Sequence, residues 1–247
     1  MTDASANASP FLTAEWRHLV MLNFPVEREI LEALAPAGTV VDTYRGVAYV
    51  SLVGFLFRKT KVLGIPVLFH QDFEEVNLRF YVRRFDGETW RRGVVFIKEI
   101  VPSFLISQSA RFFYNENYVT CRMRHRVHET AQQRASEFGW EFAGEWNELA
   151  ASSTAEPKVI APGSLEEFIT DHEWGYSRQR DGSTLEYRVT HPKWTVSPAS
   201  DCRVNCNART LYGDPFATAL GKPPTSAFML SGSEVAVYPG KTIRPKA

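Results

Sequence analysis

The sequence lacks any long apolar run. Its longest stretch without Asp, Glu, Lys or Arg is twelve residues, Gly46 to Phe57, whereas a transmembrane helix needs about 20 apolar residues. Met1 to Pro10 carries no basic residue, and the next apolar run, Leu19 to Leu22, is too short for the apolar region of a signal peptide. We therefore expect a cytoplasmic protein with no membrane partner.

The chain also lacks an excess of either charge, because 28 Lys and Arg residues balance 28 Asp and Glu residues. A nucleic-acid-binding domain usually shows a basic excess, so we expect no nucleic-acid partner. Cysteine is scarce: the three residues include no Cys-x-x-Cys pair, which favours free thiols in a reducing compartment. Cys202, Cys206 and a histidine could bind zinc, but no His-x-His or His-x-x-x-His pair supports a metal site. We predict neither a metal nor a cofactor.

Three familiar catalytic or nucleotide-binding motifs are missing. The sequence has no Gly-x-Gly-x-x-Gly after a strand, no Gly-x-x-x-x-Gly-Lys-Ser/Thr and no Gly-x-Ser-x-Gly. Their absence removes the common dinucleotide-binding, P-loop and serine-hydrolase interpretations.

What the sequence does contain is a strictly alternating segment from His70 to Arg84. Val76, Leu78 and Phe80 alternate with polar residues, among them Glu75 and Arg79. A strand places successive side chains on opposite faces, so the segment predicts one apolar and one ionisable face. Antiparallel sheets often expose one face, and a solvated polar face is the simplest interpretation of the pattern alone.

The rest of the chain predicts an α+β protein that is mainly antiparallel β. We expect a disordered tail over residues 1–10 and a single domain over 11–247. The helix signals lie at 24–34, from 102 to about 114, at 165–173 after the capping box Ser164-x-x-Glu167, and at 214–221. Strands are predicted at 38–42, 46–57, 75–84, 92–100, 117–127, 131–138, 140–147, 184–190, 194–198 and 233–238. A helix followed by several antiparallel strands thus occurs twice, which is not the order of a doubly wound parallel sheet.

Four segments together resemble a known family. They are His70–Arg84, Val94–Pro102, Tyr114–Tyr118 and Arg122–His125. The sequence resembles, from about Trp16 to Tyr238, the YqjF-like bacterial family, a domain of unknown function in the acetoacetate decarboxylase-like superfamily. This resemblance implies a duplicated helix-plus-strands unit that forms a barrel or cone around a cavity, with peripheral helices. Glu75, Asn77 and Arg79 would then face the lumen, with Val76, Leu78 and Phe80 against a helix.

The resemblance also shows what this chain has lost. Acetoacetate decarboxylases form a Schiff base through a lysine whose pKa is lowered by a nearby cation and an apolar pocket. Tyr118 falls at the corresponding position, and no lysine lies between Lys98 and Lys158. We therefore expect a protein that is not a Schiff-base decarboxylase, although Lys98 could in principle act as a relocated amine.

The acidic residue that the superfamily places on the corresponding lumen strand is Glu75 here. The resemblance thus implies a catalytic role for Glu75 as acid or base. We expect Tyr118 to be the second catalytic residue, with Tyr118 or Arg79 polarising an oxygen of the ligand. The candidate ligand-binding residues are Asn77, Arg79, Glu99 and His125. Glu75, Asn77 and Arg79 could instead form a satisfied structural network, since buried charges persist mainly when they are paired.

Two orientations remain open from the sequence. Lys98 and Glu99 are adjacent on one strand, so only one of them can enter the lumen. Arg122, Arg124 and Arg126 alternate with Met123 and His125. If the arginine row faces solvent, His125 would lie in the lumen beside Tyr118.

The favoured function is an uncharacterised cytoplasmic protein that binds a small carbonyl compound or organic acid inside the barrel. The alternative is a non-catalytic binding or structural protein that retains the fold. Whether a reaction follows binding, and which oligomer forms, are not determined by the sequence. A lumen with convergent polar groups would support the first interpretation, and one filled by aromatic side chains would support the second.

Overall fold

A computed structural model describes residues 9–67, 71–103 and 117–244 of the 247-residue chain. His70 and nearly all of the helix expected from 102 to about 114 lie outside the described residues, as does most of the tail predicted at 1–10.

The described residues form eighteen strands and four short helices. The strands β1 to β18 are, in chain order, Leu12–Val26, Val40–Val41, Ala48–Val62, Ile65–Pro66, Phe73–Phe85, Trp90–Val101, Tyr118–Thr120, Arg122–Glu129, Arg134–Phe142, Glu145–Ser153, Lys158–Val159, Trp174–Arg178, Thr184–Thr190, Thr195–Pro198, Asp201–Asn205, Ser226–Leu230, Ser233–Val237 and Lys241–Ile243. The helices α1 to α4 are Arg28–Glu32, Leu165–Thr170, Ala208–Tyr212 and Asp214–Leu220.

Seven strands close into a hydrogen-bonded ring. Its order is β1, β3, β5, β6, β12, β13, β17 and back to β1, and every pairing is antiparallel except that of β6 with β12. β16, β14 and β11 branch from β1. A separate antiparallel sheet, in the order β15, β10, β9, β8, packs outside the ring. This mainly antiparallel α+β architecture confirms the predicted fold class.

Two apolar clusters lie on the two faces of the ring wall. The outer cluster joins Val76, Leu78 and Phe80 of β5 to residues of the second sheet and of the helices α3 and α4, including Trp140 and Leu211. The inner cluster joins residues that face one another across the ring, with α2 at one end: Met21, Tyr49, Val53, Phe55, Phe57, Phe73, Tyr81, Val94, Phe168 and Ile169 are among its members. The two faces of β5 are therefore both buried.

The second sheet packs closely against the ring at Gly54 of β3. A Cβ atom at this position would lie 2.6 Å from the ring of Phe138 and 3.0 Å from the Leu149 side chain. These distances are well inside van der Waals contact, so only glycine fits between the two sheets here.

The structure corrects the predicted helix at 24–34. β1 continues through Val26, because Phe24, Pro25 and Val26 pair with Val50, Tyr49 and Ala48 of β3. The helix α1 begins only at Arg28. Burial of the Phe24 side chain in the outer cluster outweighs the helix signal of Pro25, which shows that tertiary packing overrides a local preference.

Other local signals are confirmed. The Ser164 hydroxyl accepts a hydrogen bond from the Glu167 amide at 3.1 Å, as the capping box predicts, although α2 ends at Thr170 rather than at 173. α4 has Pro215 in its first turn and ends before Gly221. The strand at 184–190 has the predicted bounds.

The turn of the β9–β10 hairpin in the second sheet is not where the sequence predicted it. The strands predicted at 131–138 and 140–147 put the turn at residue 139. β9 runs through Gly139 and ends at Phe142, which pairs with Glu145 across the two-residue turn Ala143-Gly144. Both turn residues have positive φ, 54° and 81°, as a tight hairpin with the native twist requires. β9 continues through Gly139, which pairs with Arg124 of β8 and lies against its side chain.

Candidate functional site

The inner face of β5 carries the polar residues that the sequence singled out. Glu75 and Asn77 are only 3% and 2% exposed, and Arg79 is half-buried. The Asn77 amide donates a hydrogen bond to the Glu75 carboxylate at 2.9 Å. This contact arises because residues i and i+2 of a strand share a face.

The neighbouring strand adds Glu99 to the same face. Glu99 lies directly opposite Asn77 and is 2% exposed. β7 pairs with β6 in parallel, and this register places the buried Tyr118 beside Glu99. Glu75, Asn77, Glu99 and Tyr118 thus lie together on the inner wall of the ring.

Lys98 takes the opposite side of the wall. It pairs with Leu78, and its ammonium group donates to the Leu211 carbonyl oxygen at the end of α3. Burial lowers the pKa of Lys98. The structure therefore resolves the question left open by the sequence, with Glu99 inside the ring and Lys98 outside it.

Arg79 does not pair with Glu75, although the sequence places them four residues apart on one face. Such residues are about 13 Å apart along an extended strand. The Arg79 guanidinium instead donates to the Ile169 carbonyl oxygen at 3.3 Å and lies 3.9 Å from the Met21 sulfur. Its Nε is buried and has no acceptor in the described part of the chain. Among the described residues, no carboxylate lies within ion-pair distance of Arg79.

Next to Arg79, the inner wall carries a hydrogen-bonded chain that sequence reasoning missed. The Tyr81 hydroxyl donates to Ser51, Ser51 donates to the Asn23 amide oxygen at 2.6 Å, and the Asn23 amide donates to the Ser226 hydroxyl at 3.0 Å. Tyr81, Ser51 and Asn23 are completely buried. Asn23 interrupts an otherwise apolar run, Leu19 to Phe24, and this was the available signal, because a buried polar residue needs partners.

A buried histidine completes this polar region. His172, which follows α2, packs its ring 4.8 Å from that of Tyr81. Neither of its ring nitrogens has a hydrogen-bond partner of good geometry in the part of the chain that the structure describes. Burial, reinforced by the positive charges of Arg92 and Arg79, lowers the pKa of His172 well below its usual value. The imidazole is therefore neutral at physiological pH.

The other end of the inner face is aromatic. The rings of Phe57 and Phe73 stack at 4.6 Å, and Trp16 meets Phe55 edge-on at 5.3 Å. Glu75 lies directly opposite Phe55 in the β3–β5 register. The inner face is thus divided into an aromatic end and a polar end, with Glu75 and Asn77 between them.

The structure does not bring His125 to this site, contrary to expectation. His125 belongs to β8 of the second sheet, which packs outside the ring, and its Nδ1 lies 2.6 Å from the Glu74 carboxylate on the outer face of β5. The arginine row of β8 faces solvent: Arg122 and Arg126 have 78% and 81% of their side chains exposed. The arginine row therefore faces solvent, which is one of the two orientations that the sequence left open. The lumen position of His125 that followed from this orientation is wrong.

Neither a metal centre nor a membrane span is found in residues 9–67, 71–103 and 117–244. No three His, Cys, Asp or Glu residues in these ranges could jointly hold a metal ion, and no helix there is long and apolar enough to cross a membrane. All three cysteines are free thiols.

Solved structures of the same shape define the class of the fold. Acetoacetate decarboxylase from Legionella pneumophila superposes with a TM-score of 0.64 at 12% identity, over 96% of this chain and 88% of its own. An acetoacetate decarboxylase-like enzyme from Sphingomonas wittichii gives 0.65 at 10% identity, over 96% and 95%. The enduracididine biosynthesis enzyme MppR, complexed with pyruvate, gives 0.65 at 13% identity, over 100% and 95%. The protein has the acetoacetate decarboxylase-like fold.

Sequence comparison identifies the family of the chain. Residues 13–234 match the family DUF2071, described as an uncharacterized conserved protein, and the chain belongs to this family. It is 26% identical to the uncharacterized protein YqjF of Bacillus subtilis over 195 residues, which cover 77% of each protein.

Proposed function

We propose that the inner face of the ring binds a small organic acid or carbonyl compound. The observation that carries this proposal is a pair of buried polar atoms without a partner among the described residues, Arg79 Nε and Asn77 Oδ1, on the same inner face as the buried imidazole of His172. Leaving such a group unsatisfied costs about 1–3 kcal/mol. Oxygen atoms of a bound ligand would satisfy the donor groups among them.

Each candidate residue has a distinct role in this proposal. Arg79, which has no carboxylate partner among the described residues, binds the ligand carboxylate with its guanidinium fork. Glu75, with Asn77 hydrogen-bonded to it, transfers a proton, and Tyr118 polarises a ligand oxygen. Glu99 borders the same ligand. MppR, which shares the fold, is complexed with pyruvate, and this supports a keto acid as the first ligand to test.

The proposed chemistry does not use a Schiff base. No lysine lies between 98 and 158, and the Lys98 ammonium is directed at α3 on the outer side of the ring wall. Incubation with acetoacetate or pyruvate followed by borohydride should leave the mass of the protein unchanged. A reduced adduct located on Lys98 would restore an imine mechanism.

The second candidate is a non-catalytic binding or structural protein. It is favoured by the aromatic end of the inner face, where Trp16, Phe55, Phe57 and Phe73 pack against one another. In this case the polar atoms beside Arg79 would be satisfied by water alone. The three free thiols agree with a reducing compartment, and we include a cytoplasmic location in the proposal.

A thermal-shift screen of keto acids, phenols and fatty acids tests the proposal. We expect pyruvate or a longer 2-keto acid to raise the unfolding midpoint, as any ligand that binds only the folded state does. Arg79→Gln should abolish this rise, whereas the matched control Arg126→Gln, on the exposed row of β8, should retain it. If both variants respond like the original protein, or if no acid shifts the midpoint, the second candidate is favoured.

A further inference from the structure

A separate cavity lies outside the ring, where the second sheet meets β1, β14 and β16. Its volume is about 320 Å³, within the range of small-ligand sites. Both sheets contribute to its walls, and the polar residues of the inner face are not among its lining residues. A ligand in this cavity would therefore not share contacts with the site proposed above.

A β-bulge directs one side chain of β1 into this cavity. Arg17 pairs with Leu56 and Val20 with Gly54, so β1 holds one more residue than β3 between these pairs. The bulge contains His18, whose φ of 57° is uncommon for any residue except glycine. Bulges re-aim side chains. His18 here lines the cavity, with its Nδ1 3.6 Å from the Glu129 carboxylate.

Arg134 links the two sheets across the cavity. Its guanidinium donates to the Ser197 hydroxyl of β14 at 3.0 Å and to the Glu129 carboxylate at 3.1 Å. Arg17 lines the same cavity. It pairs with Glu15, whose side chain is not part of the lining. The lining of the cavity thus contains two guanidinium groups, Arg17 and Arg134, and one carboxylate, Glu129.

The floor of the cavity is buried and of mixed character. The hydroxyl groups of Ser136 and Ser197 lie beside the apolar side chains of Met229 and Leu230. Guanidinium and hydroxyl donors suit the oxygens of a carboxylate or phosphate, and the apolar floor suits a short hydrocarbon portion. We propose that this inter-sheet cavity is a second binding site, for a small organic anion.

An NMR titration tests the proposal. The whole protein is titrated with inorganic phosphate and, separately, with butyrate, and the chemical shift of the Met229 methyl group, which lines the cavity, is followed. We expect saturable shifts with at least one probe, and the comparison shows whether the site prefers phosphate or carboxylate. Arg134→Gln should weaken binding by about tenfold or more, the loss of one hydrogen bond to a charged group. Saturation by neither probe would overturn the proposal.

Glu129→Gln provides a test in the opposite direction. Removal of this carboxylate releases Arg134 for the ligand, so the affinity of the cavity for the anion should rise several-fold. If Glu129 only stabilises the fold, the variant should bind the anion with unchanged or lower affinity. Glu137→Gln is the matched control in the same sheet, since Glu137 pairs with Arg203 at 3.2 Å away from the cavity. Arg79→Gln should leave this binding intact, which separates it from the inner-face site. An unchanged affinity in Glu129→Gln would contradict the assignment.

Discussion

β5 and β8 carry the same alternating pattern and lie in opposite environments. In β5, Glu75 and Asn77 are buried like their apolar neighbours Val76 and Leu78, with 3% and 2% exposure against 0% for both. In β8, the arginine row faces solvent while Met123 and Val127 pack against the outer cluster. Alternation shows that the two faces of a strand differ chemically, but it does not show whether the polar face meets water.

The position of each strand explains the difference. β5 has hydrogen-bonded neighbours on both sides within a closed ring, so its second face has to lie inside that ring. β8 is an edge strand among the described residues, and two of its arginines meet acidic residues of β9: Arg122 meets Glu141 at 3.5 Å and Arg126 meets Glu137 at 3.8 Å. A charged row with opposite charges on the next strand indicates a solvated face. Charged edges also discourage pairing with other chains.

Truncation of the apolar rows should give the largest contrast between the two strands. Phe80→Ala in β5 removes a completely buried side chain, and we expect a loss of about 3–5 kcal/mol in the free energy of unfolding. Met123→Ala in β8 removes a half-buried one and should cost no more than about 2 kcal/mol, the low end for such truncations. Urea denaturation measures both values. Equal losses would show that β8 is as deeply integrated into the core as β5.

Acid should destabilise the protein through His172 on the inner face. The unfolded His172 imidazole binds a proton below its usual pKa of 6.5, whereas the folded imidazole, with its lowered pKa, does not. The stability contributed by this group is therefore lost as the pH falls below 6.5. His172→Asn should remove this part of the pH dependence, measured by urea titrations at each pH. His128→Asn, at an exposed position of β8, should leave it in place.

The hydrogen-bonded chain on the inner face should give a smaller effect. Tyr81→Phe removes the hydroxyl that donates to Ser51, and we expect a loss of about 1 kcal/mol. Arg126→Gln breaks only an exposed ion pair and should change stability by no more than about 0.5 kcal/mol. Thermal unfolding monitored by circular dichroism would distinguish these values. A cost for Arg126→Gln as large as that for Tyr81→Phe would invalidate the distinction between the two polar faces.

Substitution of the adjacent residues Glu74 and Glu75 should have the smallest effect on stability. Only the substitution of Glu75 should affect ligand binding. Glu75 faces the inside of the ring and Glu74 the outside. Glu75→Gln keeps the shape and should leave the unfolding midpoint nearly unchanged, while the midpoint shift produced by keto acids disappears. Glu74→Gln should retain that shift. A large drop in midpoint for Glu75→Gln with binding preserved would make Glu75 a structural anion.

Local sequence signals correctly predicted the helices α2 and α4, because their ends are determined by residues within one turn of each end. Ser164 caps α2, and Pro215 and Gly221 bound α4, because each acts within a single turn. β1 was missed for a related reason: its bulge at His18 breaks the alternation, and Pro25 resembles the start of a helix. The strand is defined by pairing with β3, β16 and β17, which no local pattern records.

The candidate site was predicted only where a single strand determines the neighbours. Glu75 and Asn77 meet because they are two residues apart on one face. Other contacts of the site join residues far apart in the chain, so no local pattern predicts them. Tyr81 contacts Ser51 and His172, and Arg79 contacts Ile169. His125 was assigned to the wrong side because its strand belongs to a second sheet, whose existence the alternation of β8 could not reveal.

The pairing of β1 with β16 and β17 has a consequence for folding kinetics. The first strand of the ring is completed by strands near the opposite end of the chain, so a nascent chain cannot close the ring until residue 237 has left the ribosome. Contacts between such distant segments give a high contact order and slow folding. Until closure, β1 exposes unpaired backbone along most of one edge, where another chain could pair with it. We expect this protein to spend longer in aggregation-prone states during synthesis than a helical protein of the same length.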